Sequence, residues 1–138
     1  MQSAHLRQRF NAALWLSVFL ALACCCSFIA SARTRILTDS DKGAKVSLYD
    51  GDQIELRLTS NPSTGYMWYV HADSTPLMKL DSQSNEPSKE PGVGRPIVQI
   101  FRFEAIKKGD GVLLLHYVRS WEKPDPNEEQ YDLHVSIH

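Results

Sequence analysis

Residues able to perform chemistry are few in this 138-residue chain. Its three cysteines, Cys24, Cys25 and Cys26, are contiguous and lie inside a long uncharged stretch. Nothing after them can act as a thiol nucleophile, ligate a metal through cysteine or close a disulfide. Four histidines lie downstream: His71, His116, His134 and His138. His134 and His138 share the outward face of one strand, but four residues along a strand span about 13 Å, too far to chelate one ion together. His71 and His116 fall on other strands and read as ordinary core or surface residues. No Ser-His-Asp arrangement follows from the order of the residues. The expectation is a protein that is not an enzyme, with no metal and no cofactor.

What remains are three polar loops. The first, Asn61-Pro62-Ser63-Thr64-Gly65-Tyr66, combines a proline that holds Asn61 extended, a glycine free to take positive φ, and side chains that bond their own backbone. It reads as a firm, shaped tip, or as an ordinary turn between strands. The second runs from Pro91 to Pro96 and contains Gly92, Val93, Gly94 and Arg95. Its glycines expose backbone groups that suit edge-to-edge pairing with another chain, although a solvated linker has the same composition. The third is Arg119-Ser120-Trp121-Glu122. A loop tryptophan either folds back on its own domain or waits for a partner, and Arg and Trp are the types enriched at interface hot spots.

These loops need a frame, and the pattern after Ala32 supplies one. Short alternating apolar runs recur between turn residues, with almost no helical periodicity. Strands are expected at Ala44–Tyr49, around Ile54–Leu58, at Tyr66–His71, weakly at Leu77–Asp81, then at Ile97–Ile106, Val112–Val118 and Tyr131–His138. Ser82 to Pro96 reads as an irregular loop. About seven strands of this size predict an all-β, immunoglobulin-like antiparallel sandwich. Its expected core includes Ile54, Leu56, Leu58, Trp68, Phe101, Phe103, Leu114, Leu133 and Val135. In such a sandwich the three loops can share one end, as antibody loops do, and form one composite surface.

The first 32 residues read as an export signal. Arg7 and Arg9 are basic, Leu14 to Ala30 is almost wholly apolar, and Ala30-Ser31-Ala32 is a small-residue cleavage site. Residues 33–138 then form the mature domain, periplasmic or secreted. An uncleaved membrane anchor is the bland alternative, since the uncharged run is long enough to span a bilayer. Ala21-Leu22-Ala23-Cys24 matches a lipoprotein site imperfectly, so lipidation at Cys24 and a membrane tether through the N-terminus stand as another alternative. Arg7 and Arg9 are the only Lys or Arg before residue 33, so the mature domain has a net charge of about −3. That balance speaks against nucleic acid as a partner.

Leu58-Thr59-Ser60-Asn61-Pro62-Ser63-Thr64-Gly65-Tyr66-Met67-Trp68-Tyr69 resembles the signature of chagasin-type inhibitors, NPTTGY or NPTTGF followed closely by Trp-Tyr. Gly92-Val93-Gly94-Arg95 stands where that family has GxGG, and Tyr117-Val118-Arg119-Ser120-Trp121 where it has an aromatic residue followed by RPW. The resemblance covers nearly the whole mature domain. It implies an immunoglobulin-like fold and reversible inhibition of papain-family cysteine peptidases by occlusion of the active-site cleft; a monomer is expected. By the same resemblance, Ser63 and Thr64 enter beside the catalytic Cys and His. Arg119 and Trp121 dock on the leaving-group side, and Gly92 to Arg95 lie along the substrate side. Arg95 and Ser120 depart from the family pattern. An exported adhesion or ligand-binding module using the same loops is the competing expectation.

Overall fold

The computed structural model describes residues 31–87, 89, 91–123 and 125–138. Of the segment read as an export signal, residues 1–30 with Cys24 lie outside the described residues. Eight strands follow in order: β1 Thr34–Thr38, β2 Lys45–Leu48, β3 Gln53–Ser60, β4 Met67–Val70, β5 Met78–Glu86, β6 Ile97–Ala105, β7 Gly109–Val118 and β8 Glu129–Ile137. They form two four-stranded sheets, ordered β1-β3-β6-β5 and β2-β8-β7-β4. Each sheet is mixed, because β1 runs parallel to β3 and β2 parallel to β8 while the other pairs are antiparallel.

Alternation explains why the sheets face each other. Ile54, Leu56 and Leu58 of β3 point inward, with Phe103 and Phe101 opposite the first two on β6. From the second sheet, Leu113 and Leu115 of β7 meet them beside Tyr131, Leu133 and Val135 of β8. The core is one cluster running from Leu37 to Ile137. Residues 32–138 form a compact unit, and the core found among the described residues lies within it.

Three expectations need correction. β1 was not legible, because in Thr34-Arg35-Ile36-Leu37-Thr38 only Leu37 is buried and Ile36 faces solvent. It is held by main-chain pairing with β3, which leaves no alternating pattern to read. β5 continues to Glu86, through residues that read as loop, with a bulge at Asp81. It is an edge strand whose only buried residue is Met78, so its polar run is solvated on both faces. Leu114 points away from the core while Leu113 and Leu115 point in. Val112-Leu113-Leu114-Leu115 has no alternation, and pairing of Leu113 with Leu133 and Leu115 with Tyr131 sets the phase. The other eight expected core residues are buried.

Two carboxylates are fastened by the fold. Asp52 is nearly buried in the β2–β3 turn and accepts the backbone N–H groups of Tyr49 at 2.9 Å and Arg33 at 3.1 Å. Those hydrogen bonds hold its pKa below the ordinary carboxylate value. Glu55 projects from the outer face of β3 and accepts from Arg57 Nε at 2.8 Å and Arg102 Nε at 2.9 Å. The Arg57 hydrogen bond leads the causes that lower its pKa. A lowered folded-state pKa gives stability that is present above the unfolded value and lost as pH falls through the folded one. Melting temperature should therefore drop as pH falls from about 4 downward. The drop should be shallower in Asp52→Asn, measured by thermal melts across pH.

Candidate functional site

The register places all three polar loops at one end of the sandwich. Ser60, the last residue of β3, pairs with Ile97, the first of β6, and Met67, the first of β4, pairs with Val118, the last of β7. The loop after β3, the loop before β6 and the loop after β7 must therefore emerge together.

The first loop crosses from one sheet to the other and is built to hold its shape. Pro62–Thr64 forms a single 3-10 turn, closed by Gly65 N–H donating to Pro62 O at 3.0 Å. Gly65 sits at φ 83°, a left-handed conformation that any side chain would strain. Thr64 donates from its backbone N–H and, at 2.7 Å, from Oγ1 to the carbonyl of Asn61. Ser63 Oγ donates to Asn61 Oδ1. The polar side chains thus bond mostly within the tip, and the turn is set before any partner arrives.

Beneath it, residues from both sheets clamp the strands that lead in and out. Gln99 of β6 is fully buried; its Oε1 accepts from Trp68 N at 2.7 Å and its Nε2 donates to Trp68 O at 3.3 Å. β4 is an edge strand, so the buried amide takes the place of a further strand for this residue. Trp68 Nε1 donates across to Thr59 O at 2.9 Å. Its ring lies 4.9 Å from that of Tyr117, which lies 5.4 Å from Tyr66. The Tyr117 hydroxyl accepts the Asn61 N–H at 2.9 Å, which pins the loop's first residue to the second sheet.

The third loop packs directly on the first. Arg119 Nε donates to Thr64 O at 2.8 Å, its guanidinium covers the Tyr66 ring at 4.4 Å, and Nη1 donates to Glu122 at 2.8 Å. Trp121 is 70 % exposed, yet a methyl group on Gly65 would stand only 2.1 Å from its Cη2. The indole edge therefore rests on bare glycine backbone while most of the ring faces solvent. It packs on a neighbouring loop. The second loop reaches the other flank, with the Cβ position of Gly94 3.7 Å from Ser63 Oγ. Its Val93 is fully exposed, and the Arg95 side chain turns back toward Gly92.

Asn61 to Tyr66, Gly92 to Arg95 and Arg119 to Trp121 thus stand side by side, with the first loop in the middle. Sequence reasoning missed Gln99 and Tyr117 as the parts that position it. Gln99 was detectable: alternation puts it inward with Phe101 and Phe103, and a buried amide needs partners. The Tyr117 hydroxyl gives no such signal, since its partner lies far away in the chain.

Fold and site together define a class: an immunoglobulin-like β-sandwich with three preorganised loops gathered at one end. The chain belongs to the chagasin family of peptidase inhibitors, I42, whose family model matches residues 47–135. It is a family of inhibitors and not of enzymes. The chain is 32% identical over 107 residues to Amoebiasin-2 of Entamoeba histolytica, covering 77% of this chain and 85% of that one. It is 24% identical over 103 residues to chagasin of Trypanosoma cruzi, covering 72% and 94%. Among solved structures it is similar to the cysteine protease inhibitor EhICP2 of Entamoeba histolytica. That match has a TM-score of 0.68 at 27% identity and covers 78% of this chain and 98% of the other.

Proposed function

We propose that residues 33–138 are a reversible, tight-binding inhibitor of papain-family cysteine peptidases that fills the active-site cleft with loops 61–66, 91–96 and 119–122. The observation that carries this is the packing of Trp121 and Arg119 on one flank of the Asn61–Tyr66 tip and Gly94 on the other. Family membership and the likeness to EhICP2 point to the peptidase class.

The mechanism is occlusion. A cysteine peptidase needs an extended peptide with its carbonyl in line for attack. Ser63 and Thr64 sit on a closed turn whose carbonyls at Asn61, Pro62 and Thr64 already accept hydrogen bonds. The nucleophile meets a backbone it cannot productively align. Because the loops are ordered beforehand, little conformational entropy is lost on docking. The domain acts as a monomer with no cofactor and no nucleic-acid partner. The chain is exported, with a mature start at Arg33 or a lipid tether at Cys24 as the alternative. Arg33 N already bonds Asp52 Oδ1 at 3.1 Å, where a new α-ammonium would be well placed.

The test is an inhibition assay on residues 33–138 with papain and a cathepsin L-like enzyme, where low-nanomolar or tighter inhibition is expected on the order of other standard-size inhibitor interfaces. Failure against a broad papain-family panel would remove the reading and favour an adhesion module. One variant probes the third loop. Ser120→Pro restores the family residue and should tighten inhibition by about two- to fivefold by stiffening the free loop, equivalent to about 0.4–1 kcal/mol. Weaker inhibition by Ser120→Pro would mean that the native backbone there does not accommodate a proline.

A further inference from the structure

The β4–β7 pairing brings together two histidines that are far apart in the chain. Tyr69 pairs with His116 and Val70 with Leu115, and His71 N–H donates to Leu114 O at 2.9 Å, which carries the pairing one residue further. Leu113 and Leu115 face the core, so His116 faces outward, and alternation from Tyr69 puts His71 on the same side. Their rings meet edge to face, 5.1 Å between centroids. Glu128, just before β8, reaches back so that its Oε1 lies 2.8 Å from His116 Nδ1. One ligand atom from each of His71, His116 and Glu128 lies within 4.8 Å of the others. The Glu128 side chain is only 10% exposed and the two histidines about a quarter, so the cluster is set into the surface and not strewn over it.

We propose that His71, His116 and Glu128 bind a divalent transition-metal ion of the zinc class. Two imidazoles and one carboxylate form a set that suits zinc, with a fourth position left for water. Ligand atoms around a tetrahedral zinc stand about 3.3 Å apart, given bonds of about 2.0–2.1 Å. The His116–Glu128 pair has to open by about half an ångström, and no edge has to close by more than about 1.5 Å, within reach of side-chain rotation. At His116 the ion takes the place of the proton shared with Glu128, and that proton moves to Nε2 as the ring changes tautomer. His71 Nδ1 now accepts the Asp73 N–H at 3.1 Å, with Asp73 Oδ2 at 3.6 Å. Coordination through Nε2 puts a proton on Nδ1 facing that carboxylate, and the exposed Asp73 amide turns to water. His116 and Glu128 also line an open groove of about 630 Å³ shared with Tyr69, Arg119 and Glu122, which gives an ion its way in. A bound ion would tie the end of β4 and the middle of β7 to the return of the loop that carries Arg119 and Trp121.

The experiment uses untagged residues 33–138, stripped with chelator, and does not depend on any peptidase. Zn²⁺ is titrated by calorimetry and Co²⁺ by visible absorption, with thermal melts alongside. One Zn²⁺ per chain is expected, with a raised melting temperature and Co²⁺ bands of a low-coordinate nitrogen–oxygen site. His71→Ala and Glu128→Gln should each weaken binding at least tenfold and change the Co²⁺ spectrum, while His134→Ala should do neither. His71 lies beyond the last residue of β4 with its side chain a quarter exposed, so its variant stays informative if a His116 variant folds poorly. Absence of saturable one-to-one binding would overturn the proposal, and so would wild-type affinity in both His71→Ala and Glu128→Gln.

Discussion

Gln99→Ala should lower the stability of residues 33–138 by about 3 kcal/mol or more, the sum of a buried cavity and two backbone groups left without partners. The expectation follows from where β4 sits. It is the outer strand of its sheet, and the buried edge at Trp68 bonds to the Gln99 amide through both its N–H and its C=O. Gln99 has no solvent access, so water cannot replace the amide without opening the core. In a domain of this size the loss corresponds to a fall of about 12 °C or more in melting temperature. Gln99→Met keeps most of the volume but not the hydrogen bonds, and should recover only the cavity part. Paired thermal and urea melts separate the two contributions. A melting temperature within a few degrees of wild type in Gln99→Ala would show that the sheets do not depend on this clamp.

Gly65→Ala should weaken inhibition by at least thirtyfold, about 2 kcal/mol, with a smaller effect on folding. Two physical effects coincide at this residue. Its φ of 83° disfavours any Cβ, and the added methyl would meet the Trp121 ring at 2.1 Å. A rigid indole cannot yield by a rotation at its far end, so Trp121 must leave its seat or the tip must distort. Trp121→Ala should cost a similar factor, because it removes the largest exposed apolar group of the surface. The two changes should not add. With Trp121 gone, alanine at position 65 no longer meets the indole, and the backbone strain of about 1–2 kcal/mol remains. Inhibition constants for the wild type, both single variants and the double variant form the cycle. Full additivity would mean that the first and third loops act independently.

Much of this was legible in the sequence where one residue's pattern carried the information. The alternation of Ile54, Leu56 and Leu58 predicts β3 and its inward face, and Asn61-Pro62 with Gly65 predicts a shaped turn. The joint end of the three loops follows once strand order is known. What was not legible depended on pairing. β1 and the second half of β5 have no apolar face, and they exist because β3 and β6 offer main-chain partners. Leu114 was misassigned because four consecutive apolar residues have no phase of their own. His71 and His116 are distant along the chain, and only the register of β4 and β7 sets them on one face. The seat of Trp121 on Gly65 was likewise out of reach, since it depends on two loops from different strands meeting at the van der Waals surface.

The central claim is that the three loops occupy the active-site cleft itself. The most direct measurement compares binding of residues 33–138 to papain with binding to papain whose cleft is filled by a covalent, substrate-like active-site blocker. Occlusion predicts tight one-to-one binding to free papain and a loss of at least a thousandfold, about 4 kcal/mol, to the blocked enzyme. Equal affinity for the two forms would place the inhibitor on another surface and contradict the account.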